Sequence, residues 1–454
     1  MPKKLFGTDG IRGVPGTPPL DDATLYATGR ALGAYLAREQ TRSGKSDTGA
    51  RVLIGMDTRE SGPHLVATIA AGIAKAGAEP GFAGVITTPG VACLVRQKGF
   101  QAGVVISASH NPYHDNGVKL FSGAGMKFPD EVEKELEHEI IRLRADPAPA
   151  QPPMPPEDHG YDEEYLAFLR GRVLPGAKLK GLRIVLDCAN GAAYELGPQL
   201  FRSLHADVVA IHDKPNGRNI NAGCGSLYLE NLEKAVVAEH AALGVAFDGD
   251  ADRALFVCQS GHQVNGDAVM LAVARYLKGK GKLKGNRVVA TTMSNLGLER
   301  ALAAEGISLA RMEVGDRYVL EEMLRAGNVL GGEQSGHIIF LDDSPAGDGL
   351  LTAVKVASLV ALDGPLNKLV AGLKNYPQTI VNVKVRTKPP LESLPKFSRV
   401  LAEAKAALGD NGRIVVRYSG TEQLARVMVE AEHAADVERW SESLAAALRS
   451  AIGA

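Results

Sequence analysis

The sequence predicts an α/β protein: three similar α/β domains with mixed, mostly parallel sheets and a smaller C-terminal α+β domain, around one central cleft. Three observations carry this. Short β-rich runs bounded by Gly, Pro and Asn recur in the order strand, helix, strand, helix, strand. The last strand of each unit runs straight into a polar cluster. The 454 residues give a prior of about three or four domains.

In the first unit, Arg51 to Met56 reads as a buried strand, Pro63 to Lys75 as an Ala-rich helix, and Gly103 to Ser107 as the closing strand. The second runs from Arg183 to Asp187 through helices near Ala193 to Leu204 and Leu229 to His240, and closes on Gly244 to Phe247. The third opens with Arg287 to Thr291, continues through helices near Leu296 to Ala304 and Tyr318 to Ala326, and closes on Asn328 to Gly331. Strands alternating with helices imply parallel pairing with crossover helices, whose ligand sites lie at the carboxyl ends of the strands. The Pro-rich stretch Ala148 to Glu157 reads as a linker. Beyond Asn375, strands such as TIVNVKV and GRIVVR and an amphipathic helix from about Ala435 to Leu448 form the last domain. The expected boundaries are 1–155, 156–256, 257–372 and 373–454.

Composition narrows the function. Lys plus Arg total 51 against 52 for Asp plus Glu, a net charge of −1, so no bulk field draws nucleic acid or an anionic membrane. No run approaches the ~18 apolar residues of a membrane span. Four cysteines, Cys93, Cys188, Cys224 and Cys258, form no CxxC pair and read as packing residues in a reducing compartment. The expectation is a soluble, cytoplasmic protein that holds any anion locally.

Four clusters carry chemistry. In DGDADR, Asp248, Asp250 and Asp252 alternate after an apolar strand, so their carboxylates project to one side and require a cation. Oxygen-only ligands with open positions suit Mg²⁺ working with a phosphate. An EF-hand is excluded, because the loop has Arg253 at its sixth position and Gln259 at its twelfth. SASHNP, Ser107 to Pro112, puts hydroxyls at a strand end, with His110 beside them and Lys119 downstream. On its own, a serine there reads as a helix cap before a nucleophile; a metal motif in the neighbouring unit reverses that order. In RYSGTE, Arg417, Ser419, Gly420 and Thr421 offer a guanidinium, two hydroxyls and a glycine for an anion. GEQSGH offers Glu333, Ser335 and His337 to a polar ligand, and His337 where a P-loop needs Lys rules out a Walker A motif.

These clusters in this order, with FGTDGIRG at Phe6 to Gly13, resemble the α-D-phosphohexomutase superfamily and, within it, the bacterial phosphoglucosamine mutases. The resemblance runs from Phe6 to about Glu430. FGTDGIRG and Gln334–Ser335 point to the amino-sugar branch, and Gln423 departs from the usual SGTEP loop. The resemblance implies interconversion of glucosamine 6-phosphate and glucosamine 1-phosphate, towards UDP-N-acetylglucosamine. It implies Ser109 as phosphoserine, one Mg²⁺ on Asp248, Asp250, Asp252 and a phosphoserine oxygen, and a hexose 1,6-bisphosphate as intermediate and primer. Arg12 and Arg253 would add positive potential. Lys119, its pKa lowered by nearby cations, would move the hydroxyl proton, with His337 as the alternative for that role and His110 also catalytic. Glu333, Ser335 and His337 would address the sugar, and Arg417, Ser419, Gly420, Thr421 and Arg426 the idle phosphate. The last domain would rotate about a hinge near Asn375. The partner would be a small-molecule sugar phosphate, with neither nucleic acid nor membrane; relatives are commonly homodimers. The alternatives are a phosphomannomutase or phosphoglucomutase of the superfamily, or a non-catalytic sugar-phosphate-binding protein.

Overall fold

The structure is a computed structural model that describes residues 5–7, 9–42, 44, 49–419 and 423–454. The first block holds β1 (Ile11–Gly13), β2 (Arg51–Met56), β3 (Glu79–Val85), β4 (Ala102–Ile106) and β5 (Asn116–Ser122), in the sheet order β1-β5-β4-β2-β3. β2 lies parallel to β3 and β4, while β5 runs antiparallel to both β4 and β1. The second block repeats this arrangement with β6 (Arg183–Asp187), β7 (Asp207–Ile211), β8 (Leu243–Phe247), β9 (Ala254–Cys258) and β10 (Gln263–Val264), in the order β10-β9-β8-β6-β7. β6 is parallel to β7 and β8, and β9 antiparallel to β8. Such parallel strands are covered on both faces, which is why Val52, Leu53, Ile54, Val104, Val105 and Ile106 are all apolar and wholly buried.

The third block has β11 (Arg287–Thr291), β12 (Ser308–Met312), β13 (Leu330–Gly332) and β14 (Ile338–Phe340), with β13 antiparallel to β14. The repeat predicted from sequence is therefore present, with one addition: after each polar cluster the chain returns as an antiparallel strand, β5, β9 or β14. The small last sheet is antiparallel throughout: β15 (Gln378–Lys384), β16 (Gly412–Tyr418) and β17 (Leu424–Ala431), in the order β15-β17-β16. Trp440, Leu444 and Leu448 of the terminal helix Ala434–Ile452 pack onto it. By internal packing the chain forms two compact units, residues 1–289 with 315–371 and residues 290–314 with 372–454.

Between the helices Asp130–Leu143 and Gly160–Arg170 the Pro-rich stretch has no regular element, but it is tied down: Glu157 bridges to Phe82, and Asp158 N–H donates to the Phe82 carbonyl at 2.9 Å. Among the described residues no helix is long and apolar enough to cross a membrane.

The helices Asp22–Arg42 and Gly62–Lys75 cross backbone to backbone. A Cβ added at Gly29 would lie 2.2 Å from the Ile69 carbonyl oxygen, and one at Gly72 would lie 2.3 Å from that of Tyr26. Two glycines thus set the helix spacing over which Leu25, Leu32, Leu65 and Ile69 close the first core. Overpacking costs about 1–3 kcal/mol, so Gly29→Ala should lower the thermal midpoint of the first unit measurably. An unchanged midpoint would mean that the helices part without strain.

Candidate active site

The three polar clusters of the first unit meet. Ser109, His110 and Asn111 follow β4, the three aspartates follow β8, and Glu333 to His337 form the turn between β13 and β14. All three stand at carboxyl ends of strands, as the repeat implies.

Ser109 is 1% exposed and adopts φ 53°, a left-handed conformation that a non-glycine residue holds only when its surroundings impose it. Its N–H donates to Ser107 Oγ at 2.9 Å, and Ser107 Oγ donates to Asp57 Oδ2 at 2.6 Å. Its carbonyl accepts from Arg59 Nη2 at 3.0 Å and from Asn221 Nδ2 at 2.9 Å. Arg59 is the hub. Wholly buried, it pairs with Asp57 at 2.9 Å and also donates to the carbonyls of Asn111 at 2.9 Å and Asp115 at 3.0 Å, and to that of Pro112. One guanidinium therefore fixes the loop that presents the serine hydroxyl.

That hydroxyl donates to Asp248 Oδ2 at 2.6 Å. Asp248, Asp250 and Asp252 are buried, and one oxygen of each lies within 4.8 Å of the others. Burial, reinforced by repulsion from Asp252 and Asp250, pushes the Asp248 carboxyl well above its ordinary range. Asp250 Oδ1 and Asp252 Oδ1 are buried with no hydrogen bond. Unbonded oxygens on crowded carboxylates fit a hard divalent cation, so the residues present match the metal expected from the motif. Arg253 N–H donates to Asp248 Oδ1 at 3.1 Å, and its guanidinium lies 3.7 Å from Asp252.

Lys119 departs from expectation. Burial would lower its pKa, but Asp250 at 2.8 Å, Asp9 at 3.1 Å and Asp252 at 3.5 Å outweigh burial and raise it well above the ordinary lysine value. Its nearest charged neighbours are anions, and they outweigh the lowering that Arg12 exerts. His337 behaves alike: burial opposes protonation, yet Asp252, Asp316 and Glu333 lift its pKa to about 9. His110 goes the other way, with burial, Arg253 and Arg12 lowering it to about 4, and its Nδ1 lies 3.3 Å from Ser109 Oγ.

These groups close a ring of alternating charge. From Lys119 it passes to Asp9 at 3.1 Å, Lys127 at 2.8 Å and Asp316 at 2.8 Å, then to His337 at 3.8 Å, Asp252 at 3.7 Å and back to Lys119 at 3.5 Å. Arg12 pairs with Asp9 and reaches Asn111 Oδ1 at 3.4 Å. Ser335 Oγ donates to Glu333 at 3.5 Å, and the Gly266 N–H holds the turn by donating to the Gln334 carbonyl at 3.0 Å.

The remaining expected residues lie in the second unit. Arg417 on β16 faces Arg426 on β17 across one rung, and the pair lines a concave patch with Met293, Ile380 and Asn382. Burial and the adjacent Arg426 pull the Arg417 pKa below its usual value. Ser419 N–H donates to the Leu424 carbonyl at 2.8 Å, and Lys388 Nζ donates to the Ser419 carbonyl at 2.6 Å. Gly420 and Thr421 lie outside the described residues.

Sequence reasoning missed Asp57, Arg59, Asn221, Asp9, Lys127 and Asp316. The string DTR after β2 was the available signal for the first two, since β2 ends beside β4 in the same sheet. Removing a partner from a buried ion pair costs about 3–5 kcal/mol. Arg59→Met should therefore lower the urea midpoint and, by freeing the serine loop, reduce kcat more than it raises KM. Wild-type kcat and stability together would show that Arg59 holds nothing.

Comparison with known proteins matches four successive segments of the chain. Residues 3–146, 163–261 and 265–376 match the descriptions Phosphoglucomutase/phosphomannomutase, alpha/beta/alpha domains I, II and III, and residues 380–447 match the C-terminal domain. The phosphoglucosamine mutase of Solibacter usitatus (strain Ellin6076) is 53% identical over 454 residues, covering 100% of both chains. Among solved structures, a phosphoglucomutase/phosphomannomutase family protein from Burkholderia thailandensis superposes with a TM-score of 0.80 at 24% identity, covering 99% of this chain and 97% of its own. An Aspergillus fumigatus N-acetylphosphoglucosamine mutase, solved in complex with GlcNAc-6P and magnesium, gives 0.64 at 18% identity, covering 98% and 96%. With all four domains matched and more than half of the residues shared with a full-length relative, the chain belongs to the phosphoglucomutase/phosphomannomutase family and, within it, to the phosphoglucosamine mutases.

Proposed function

We propose that this isomerase, which interconverts glucosamine 6-phosphate and glucosamine 1-phosphate, works in the cytoplasm through a phosphoserine at Ser109 and a 1,6-bisphosphate primed by a hexose bisphosphate. The observation that carries the reading is the Ser109 hydroxyl 2.6 Å from Asp248, inside a buried triad of carboxylates and beside Lys119.

The bond between phosphorus and Ser109 Oγ breaks as the bond to the sugar's free hydroxyl oxygen forms, and the hydroxyl proton passes to the serine oxygen. Lys119 is the group that handles this proton: cationic as it stands, it gives a proton to Oγ and recovers one from the sugar hydroxyl. After the sugar turns over, the same chemistry in reverse returns the other phosphate to Ser109. Asp248, Asp250, Asp252 and a phosphoserine oxygen would hold Mg²⁺, which would supply positive charge against the charge that develops on the transferring phosphoryl group. Arg12 and Arg253 add fixed positive potential. His110, kept neutral, and His337, kept protonated between Asp252 and Asp316, complete the polar wall. Glu333, Ser335 and His337 address the sugar, and Arg417, Ser419, Gly420, Thr421 and Arg426 hold the idle phosphate. The domain limits 1–155, 156–256, 257–372 and 373–454 assign one of these loops to each domain.

The test is kcat/KM for glucosamine 1-phosphate, glucose 1-phosphate and mannose 1-phosphate with Mg²⁺ and a bisphosphate primer. A preference for the amino sugar that disappears in Ser109→Ala is expected; a preference for glucose or mannose phosphate points to the phosphoglucomutase or phosphomannomutase reading, and activity surviving in Ser109→Ala removes the phosphoserine. Chelation with EDTA should abolish turnover and added Mg²⁺ restore it. A charge-assisted contact is worth about 1.5–3 kcal/mol, so Arg417→Ala should weaken sugar-phosphate binding roughly 10- to 100-fold, and an unchanged KM would remove Arg417 from the phosphate cradle.

A further inference from the structure

A second group of metal-ligating side chains lies in the second block, apart from the aspartate triad. Asp187 ends β6, His212 follows β7, and Cys224 sits in the loop before the helix Glu230–Ala238. One ligand atom of each lies within 4.8 Å of the other two. Asp187 is 0% and Cys224 1% exposed, while the His212 side chain keeps 27% of its surface. His212 is held at φ 49°, with its carbonyl accepting from Asn190 N–H at 2.7 Å.

The decisive detail is how the donors face one another. His212 Nδ1 is 3.1 Å from Asp187 Oδ2, yet this buried nitrogen makes no hydrogen bond of acceptable geometry. The nitrogen is left without an aligned partner beside two further donor atoms, Asp187 Oδ2, which also accepts the Gly225 N–H at 3.0 Å, and Cys224 Sγ. With metal–nitrogen and metal–oxygen bonds of about 2.0–2.1 Å and metal–sulfur bonds of about 2.3 Å, a tetrahedral site has ligand edges of roughly 3.3–3.6 Å; the nitrogen–oxygen edge here is 3.1 Å, and both edges to sulfur are within 4.8 Å.

We propose that Asp187, His212 and Cys224 form a site for one divalent metal ion of the zinc class, with water as fourth ligand on the side where His212 meets solvent. As the sulfur–metal bond forms, the Cys224 thiol releases its proton to solvent, and nothing is oxidised or reduced. The mixed sulfur, nitrogen and oxygen set selects a softer ion than the oxygen-only triad, so the two sites discriminate by ligand chemistry. The site also bears on the serine. Asp187 Oδ1 accepts from Ala189 N–H at 2.9 Å, the Ala189 carbonyl accepts from Asn221 N–H at 2.9 Å, and Asn221 holds the Ser109 carbonyl. An ion here ties the end of β6 to the loop that positions Ser109.

Titration of the Mg²⁺-saturated, full-length protein with Co²⁺, followed by absorption, tests the proposal. Co²⁺ on the aspartate triad gives no thiolate-to-metal charge-transfer band, whereas Co²⁺ on Cys224 does. The expected result is one equivalent of Co²⁺ producing that band, displaced by Zn²⁺, lost in Cys224→Ala and retained in Cys188→Ala, which removes the neighbouring buried thiol. His212→Ala, at a partly exposed position, provides a second variant should Cys224→Ala fold poorly, and should weaken Co²⁺ at least about tenfold. Absence of the band, its persistence in Cys224→Ala, or unchanged affinity in His212→Ala would each overturn the site and leave a plain histidine–aspartate pair.

Discussion

Buried negative charge is the constraint on which the first unit depends. Three carboxylates stand together, buried, after β8, and the surrounding residues offset them. Lys119, Arg253 and His337 approach as cations, and Asp9, Lys127 and Asp316 extend the alternation into a ring. In such a ring each charge is positioned by two neighbours, so a change at one member is felt by groups it does not touch. The same field explains why Lys119 and His337 hold their protons and why His110, facing two arginines, does not.

The α/β repeat supplies the geometry for this chemistry. Parallel strands end at one edge of each sheet, and in the first two blocks the chain leaves the central strand, makes a short polar loop and returns antiparallel. A loop held at both ends by adjacent strands has little freedom. That restriction is what keeps Ser109 in a left-handed conformation and lets the aspartates remain close despite their repulsion. The small antiparallel domain contributes a different surface, in which two arginines share a rung.

Much of this was legible in the sequence because the signals are local. Alternating aspartates after an apolar strand, a serine at a strand end and a Gly-rich turn each declare themselves within six residues, and the parallel strands show as continuous apolar runs. The antiparallel return strands were not legible. NGVKLFS has a lysine in its middle, and only the fold shows that Lys119 is inside because three carboxylates receive it. Arg59 was illegible for a similar reason: a charged residue in a polar string reads as surface until its four carbonyl partners, distant in sequence, are brought to it. The protonation of Lys119 was misjudged because sequence places Arg12 and Arg253 near it but does not rank their distances against those of Asp9 and Asp250.

The burial of Ser109 also bears on how a phosphate can reach it in the first place. With 1% of its surface accessible and its carbonyl clasped by Arg59 and Asn221, the residue cannot be laid, as an extended peptide, into the catalytic groove of another protein. The donor that charges the enzyme must come to the serine. On the proposed phosphoserine mechanism, such a donor is a small molecule of roughly the substrate's own size.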